Sequence, residues 1–277
     1  FQNSSVSGGA GADTFIISTL SNAAIYGGGD ADSINITGSL YGATVDFGAG
    51  NELFSLTVNG TTSTISGGEG NDTFVFGSTG TLTSSLVDGG AGNDSITFGA
   101  ALTNNTVSGG EGDDSLTFAS SVVSASIVGG AAAADTGSDL LVFSSTVSAS
   151  AVEGGSGNDT IRLLSSVFNS TIDLGAGADS FSFTSTLATS TVLGSGGNDT
   201  LIFDSSAVFQ TSSISGGDDN DSLVFSAVVN SNTTVAAGTG NDTISFASSV
   251  SNAVVSAGGG NDSVVFNALV TSSTVYG

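Results

Sequence analysis

Thirteen acidic residues recur along the 277-residue chain at a nearly constant interval, and their type and spacing suit them to hold a cation. They are Asp13, Asp32, Glu52, Asp72, Asp94, Asp114, Asp139, Asp159, Asp179, Asp199, Asp221, Asp242 and Asp262. Their spacings run from 19 to 25 residues, with 20 the commonest. Nearly all close a glycine-rich turn, such as Gly-Gly-Ala-Gly-Ala-Asp at 8–13, Gly-Gly-Glu-Gly-Asn-Asp at 67–72 and Gly-Gly-Ala-Gly-Asn-Asp at 89–94. A carboxylate fixed at one place in every coil of a stacked structure lies about 5 Å from the next. Unpaired charges at that distance repel, and the repulsion accumulates along the row. A hard divalent cation between successive turns removes it. Ca2+ accepts six to eight oxygens from carboxylates and carbonyls, and glycine lets the backbone turn its carbonyls inward. Mg2+ fits less well, because it demands octahedral geometry and keeps its water. Thirteen turns leave twelve gaps, so about 12 Ca2+ are expected, carrying +24 against a formal charge of −24.

Composition closes off other chemistries. Arg162 is the only cation against 25 carboxylates, so no basic patch exists to neutralise phosphates and no nucleic-acid partner is expected. Without Cys or His there is no disulfide, thiolate or imidazole metal site, and no Ser-His or Cys-His nucleophile. No uninterrupted apolar run is long enough to span a bilayer. The chain opens at Phe1 without Met or a signal-peptide pattern, which reads as a processed chain or a piece of a longer one.

The elements that position the acids are written in fixed offsets. Two residues after the acid come Phe15, Ile34, Phe54, Phe74, Ile96 and their successors, and four after it Ile17, Ile36, Leu56, Phe76, Phe98 and theirs; both positions are apolar in all thirteen coils. A period of two predicts a strand with these residues inward. Seven residues before the acid a Val or Ile recurs (Val6, Ile25, Val45, Ile65, Val87, Val107), with Ile127 in the row once a five-residue insertion before Asp139 is allowed for. That predicts a second strand. A third apolar row, eight residues after the acid in nine coils (Leu40, Leu102, Val122 and others), falls in a Ser/Thr/Asn-rich corner with no metal-type signature. No segment shows a 3.6-residue apolar period, so no helix is expected. The expected fold is all-β: a right-handed parallel β-solenoid of about 13 coils of about 20 residues with a single calcium column, its core a Phe ladder facing a Val/Ile ladder. No composition shift divides it, so residues 1–277 read as a single repeat domain, itself a segment of a longer or end-to-end stacked assembly.

The tandem Gly-Gly-x-Gly-x-Asp-x-apolar-x resembles the repeats-in-toxin (haemolysin-type calcium-binding) family over essentially the whole chain. The resemblance implies a calcium β-roll, extracellular and secreted by a bacterium, that folds on meeting external calcium. It also implies that the Asp at the sixth position binds the metal by its side chain, with backbone carbonyls of the turn completing the site. The chain departs from the family in having one glycine turn per coil rather than two, hence one column. Locally, Glu52 replaces Asp, Asp30 and Asp219 replace the fourth-position Gly, and Ala131–Ser138 breaks the turn before Asp139. Ser or Thr follows the acid in eleven coils, but Leu53 and Leu140 follow Glu52 and Asp139, which sets those two coils apart as metal sites.

Three functions compete. An enzyme would have to use carboxylate clusters such as Glu111, Asp113 and Asp114 or Asp218, Asp219 and Asp221, but both lie inside metal-type turns and little is present to stabilise an anion, so no catalytic activity is expected. Some calcium solenoids with one Gly-x-Gly-Asn-Asp turn per coil resemble this chain and bind ice through a Thr and Asn array on that turn. The Asn row is present (Asn71, Asn93, Asn158, Asn198), but the Thr position holds Ala10, Ala49, Glu69, Ala91 and Glu111, with Thr239 alone matching. The preferred expectation is a calcium-dependent extracellular building block of a surface layer, sheath or filament, or an adhesin stalk. Its expected partners are copies of itself, end-to-end or lateral, and a cell-surface glycan.

Overall fold

The architecture comes from a computed structural model, which describes residues 1–130 and 135–277. The chain divides into two compact units, Phe1–Leu140 and Leu141–Gly277, each a parallel β-solenoid, with no helix among the described residues.

In the first unit the strand that enters each glycine turn is six residues long in all but the last coil. These strands run Ser5–Ala10, Ala24–Gly29, Thr44–Ala49, Thr64–Glu69, Leu86–Ala91, Thr106–Glu111 and Ser126–Gly130, each parallel to the next. The strand that leaves the turn is four residues long, as in Thr73–Phe76 beside Ser95–Phe98. Register is strict, so every coil repeats the inward set: Ile65 pairs with Val87 and Phe76 with Phe98. The second unit repeats the plan with Ala151–Ser156, Thr171–Ala176 and Thr191–Gly196 before the turn, and Thr160–Leu163, Ser180–Phe183 and Thr200–Phe203 after it.

The expected ladders form the core. Phe76, Phe98 and Phe118 stack with centroids 4.5 and 5.1 Å apart, and in the second unit Phe203, Phe225 and Phe246 stack at 4.8 and 5.0 Å. Ile25, Val45, Ile65, Val87 and Val107 are fully buried opposite them. Each such side chain contributes about 1.5 to 3 kcal/mol of burial, and the parallel register repeats that contribution from coil to coil.

The structure adds a third wall. The apolar row read as a corner makes short strands of its own, such as Thr81–Thr83, Ala101–Thr103 and Val122–Val123 in the first unit and Val167–Phe168, Thr186–Ala188 and Val208–Gln210 in the second. A coil therefore has three strands rather than two. The missing signal was local: these strands have only two or three residues, too short for alternation to show.

The corner after this wall turns on one residue with positive φ in most coils, and it is seldom glycine: Thr62 (49°), Ser84 (51°), Asn104 (56°), Ala149 (51°), Asn169 (49°) and Thr189 (51°). The next residue points inward and builds a neutral polar ladder. Ser63 N–H donates to Ser85 Oγ (3.2 Å), Ser85 N–H to Asn105 Oδ1 (2.9 Å), and in the second unit Ser170 N–H to Ser190 Oγ (3.2 Å). Each hydroxyl also donates to the carbonyl two residues back, as Ser63 does to Thr61 (2.9 Å) and Ser170 to Phe168 (2.8 Å). No side-chain oxygen or nitrogen of Ser63, Ser85, Asn105 or Ser170 is left buried without a partner.

Candidate metal centre

Two glycines set the path of the turn. In the coil 67–72, Gly68 and Gly70 have φ of 106° and 124°, and a Cβ on either would strike the carbonyl oxygen of Gly48 or Gly50 in the preceding coil. At the fourth position Asp30 and Asp219 replace glycine with φ of 68° and 73°, a conformation that Asp tolerates better than most side chains. The two departures noted in the sequence therefore keep the turn.

This path tucks the sixth-position acid inward. Asp32, Glu52, Asp72, Asp94, Asp114 and Asp139 are each about 2% exposed, and Asp159, Asp179, Asp199, Asp221 and Asp242 are 1–3% exposed. Asp13 and Asp262 are half-buried. In most of the aspartates one oxygen has a defined job. Oδ1 accepts the backbone N–H of the acid one coil earlier: Asp72 to Asp94 (2.7 Å), Asp94 to Asp114 (2.7 Å), Asp114 to Asp139 (2.8 Å). The second unit repeats this with Asp159 to Asp179 (2.7 Å), Asp179 to Asp199 (2.8 Å), Asp199 to Asp221 (2.9 Å), Asp221 to Asp242 (2.8 Å) and Asp242 to Asp262 (3.0 Å). Asp13 donates likewise to Asp32, and Glu52 to Asp72, both at 2.8 Å.

The other oxygen is an orphan. Oδ2 of Asp13, Asp32, Asp72, Asp94, Asp114, Asp179, Asp199, Asp221 and Asp242, and both carboxylate oxygens of Glu52, are buried without a hydrogen-bond partner. Beneath the first glycine of the turn this oxygen meets the carbonyl oxygen of the same position in the next coil. A Cβ on Gly89 would run into both Asp94 Oδ2 and the Gly109 carbonyl, one on Gly109 into Asp114 Oδ2 and the Gly129 carbonyl, and one on Gly216 into Asp221 Oδ2 and the Ala237 carbonyl. Carboxylate and carbonyl oxygens thus converge in each regular coil, the donor set a hard cation prefers. Among the described residues no three or more acidic side chains form a cage by themselves, so a cation must draw on these carbonyls too.

The electrostatics agree. Burial pushes the carboxyl of Asp94 up to about 7 and that of Asp114 up to about 8, with repulsion from neighbouring acids adding to it. Asp179, Asp199 and Asp221 rise to about 7, 6 and 7 for the same leading reason, and Asp242 is raised too. Glu52 rises to about 8, through burial and then its neighbour Asp72. The accepted N–H works the other way but does not win. Such a row is unfavourable as bare anions inside the protein, and a bound cation reverses that preference.

Glu52 and Asp139, which the sequence set apart, occupy the same buried row as the rest. Leu53 and Leu140 stay outside, 47% and 37% exposed, and do not disturb it. Of the broken turn Ala131–Ser138, residues 131–134 lie outside the described residues; Ser138 N–H rejoins the regular pattern by donating to Asp113 Oδ1 (2.7 Å). The acidic clusters considered for catalysis do not converge: Asp114 and Asp221 are buried in the row, while Glu111, Asp113, Asp218 and Asp219 face solvent. Sequence reasoning missed a second ladder, of the residue before the acid, which runs the opposite way. Asn93 N–H donates back to Asn71 Oδ1 (2.8 Å), Asp113 N–H to Asn93 Oδ1 (3.1 Å), and Asn241 N–H to Asn220 Oδ1 (2.7 Å). The recurrence of Asn at that place was the available signal.

No curated protein matches the chain. Its fold is similar to that of a hyperactive, Ca2+-dependent, β-helical antifreeze protein from an Antarctic bacterium, known from a crystal structure. The alignment has a TM-score of 0.75 and 21% identity over 96% of this chain and 80% of that one. The RTX calcium-binding nonapeptide repeat family matches in four copies, at residues 62–78, 79–100, 102–118 and 229–245, together well under half of the chain. Each copy contains one acid of the row, Asp72, Asp94, Asp114 or Asp242. The chain thus carries RTX-type calcium-binding nonapeptide repeats set in a parallel β-solenoid.

Proposed function

We propose that the chain is a calcium-dependent extracellular structural protein whose acid row binds Ca2+ between adjacent coils. The ligands are the carboxylates of Asp13, Asp32, Glu52, Asp72, Asp94, Asp114, Asp139, Asp159, Asp179, Asp199, Asp221, Asp242 and Asp262, together with turn carbonyls. The observation that carries this reading is the contrast between the two inward ladders. The serine ladder performs the same backbone task with neutral hydroxyls and leaves nothing unpaired. The acid ladder spends one oxygen on that task and buries a second one bare. If accepting one N–H were the whole purpose, Ser or Asn would serve at lower cost, since an unpaired buried charge is strongly unfavourable. Bound Ca2+ supplies positive charge that neutralises the row and ties each coil to the next.

The outward surface supports a structural role. Outward positions carry Ser, Thr and Asn with scattered apolar side chains such as Ile16 (74% exposed) and Val75 (41%) in the first unit and Ile202 (41%) and Val265 (42%) in the second, which supports lateral self-association. Secretion into a calcium-rich medium lets the chain stay only marginally folded until export and become stable once calcium binds. A surface layer, sheath, filament or adhesin stalk is the corresponding setting.

The test is far-UV circular dichroism of chelated protein titrated with CaCl2, followed by electron microscopy of the same samples. A marginally ordered chain that gains β signal as calcium rises, with ordered assemblies appearing, is the expected result. A β signal unchanged in chelator, with no bound calcium by equilibrium dialysis, overturns the metal reading.

A further inference from the structure

The insertion before Asp139 lengthens its coil-to-coil spacing to 25 residues and brings one additional acid, Asp135. Its placement is not that of a loop residue. Asp135 is 5% exposed, and its Oδ1 accepts two backbone N–H groups, from Gly112 (3.1 Å) and Gly137 (3.0 Å). The first of these bonds is informative. In the regular coils the fourth-position glycine N–H donates to the backbone carbonyl of the third-position residue one coil on: Gly70 to Ala91 (2.7 Å) and Gly92 to Glu111 (2.7 Å). At Gly112 that carbonyl is replaced by the Asp135 carboxylate. A neutral member of the turn has been exchanged for a charged one.

The exchange leaves Asp135 Oδ2 buried with no partner. It points under Gly130: a Cβ on Gly130 would strike Asp135 Oδ2 and lie 3.4 Å from Asp139 Oδ2. Two carboxylates of one coil therefore lie beside the same glycine, where the first glycine of a regular turn meets one carboxylate and a carbonyl.

We propose that Asp135 and Asp139 together form a reinforced Ca2+ site, which fills before the regular steps of the row and starts the ordering of the coils beside it. This rests on the reading of the acid row as a calcium column and adds a rank order within it. A second carboxylate raises the negative charge of the donor set, the property that spreads calcium affinities over decades among oxygen sites. In the insertion the chain keeps an acid and loses a glycine turn, which has a purpose only if the acid is used.

The experiment is calcium titration of the full chain by isothermal titration calorimetry, comparing the native protein with Asp135→Asn. Asn keeps an oxygen to accept from Gly112 and Gly137. The expected result is a small class of sites in the native protein at least about tenfold tighter than the rest, which Asp135→Asn removes while the weaker class remains. Equal isotherms for the two proteins overturn the reinforced site and leave the column intact. No binding by either overturns the column reading itself, and the reinforced site with it. If the variant does not fold in saturating calcium, hydrogen exchange of the native protein at substoichiometric calcium decides the matter. Protection appearing first in amides 112–116 and 137–140 supports the proposal; protection appearing first elsewhere, or everywhere at once, rejects it.

Discussion

The backbone N–H of Asp94 donates to Oδ1 of Asp114 at 2.7 Å, and Oδ2 of that same Asp114 is buried with no partner. One side chain thus both builds the ladder and strains it. The two roles separate on substitution, because an amide keeps the acceptor and loses the charge.

Asp94→Asn is therefore expected to act in opposite directions with and without metal. In chelator it removes a buried charge while still accepting the Asp72 N–H, and its new NH2 faces the Gly109 carbonyl. The melting temperature should rise by a few degrees, corresponding to about 1 to 2 kcal/mol. In saturating calcium it removes a ligand, so the calcium midpoint of folding should move up and the melting temperature fall. Melting curves followed by circular dichroism in both media test this. A shift of the same sign in both would show that Asp94 is only a structural acceptor.

The metal-free chain should also be more stable in acid, the reverse of the usual carboxylate effect. Burial raises Asp94, Asp179 and Asp221 to about 7, Asp199 to about 6 and Asp114 to about 8, whereas unfolded carboxyls titrate at about 4. A raised folded-state value means that the folded chain binds more protons. Its contribution is complete below about pH 4 and is lost as pH rises through the folded values of 6 to 8. Denaturant melts in chelator should show greater stability at pH 5 than at pH 8. Saturating calcium should remove that difference, since the ion competes with the protons for the same oxygens.

The contrast between row and corner also shows what the sequence made legible. The acids, the Phe column and the Val/Ile column could be read because each repeats one residue type at one offset, and Phe98, Val87 and Asp94 lie where those offsets put them. The third wall and its corner could not, because what repeats there is a backbone conformation. Thr62, Ser84, Asn104 and Ala149 share a positive φ but no side-chain chemistry. Asp135 was hidden for a different reason: the insertion moves it out of register with every other acid, so only the fold brings it back.

The neutral ladder gives a control for the charged one. Ser85→Ala withdraws the acceptor of Ser63 N–H inside the protein, where no water replaces it. The expected loss is about 1 to 3 kcal/mol, equal in calcium and in chelator because no cation is involved. Paired denaturant titrations measure it. A loss that appears in only one medium would mean that the far corner is coupled to the metal.

At the corner itself the strain is removable. Thr189 holds a φ of 51°, a region that costs a β-branched residue about 1 kcal/mol or more and that Asn enters more easily. Asn already occupies the equivalent place at Asn169. Thr189→Asn should therefore stabilise the protein by about 0.5 to 1 kcal/mol, with the calcium midpoint of folding shifted down in proportion. Equilibrium unfolding in urea at fixed calcium checks the size of the effect.

The likeness in fold to an antifreeze protein makes ice a necessary test. A face that orders water as ice does must repeat one side chain at one spacing over a flat area. The third position of the turns faces outward and holds Ala49, Glu69, Ala91 and Glu111 in the first unit, and Ser156, Ala176, Gly196, Asp218 and Thr239 in the second. Charged Glu69, Glu111 and Asp218 interrupt that row, and their hydration opposes a regular water lattice. Calcium-loaded protein should show no more thermal hysteresis in nanolitre osmometry than an equally concentrated inert protein. Faceted crystal growth with a freezing gap would instead assign the outward turn row to ice, and the building-block reading would give way.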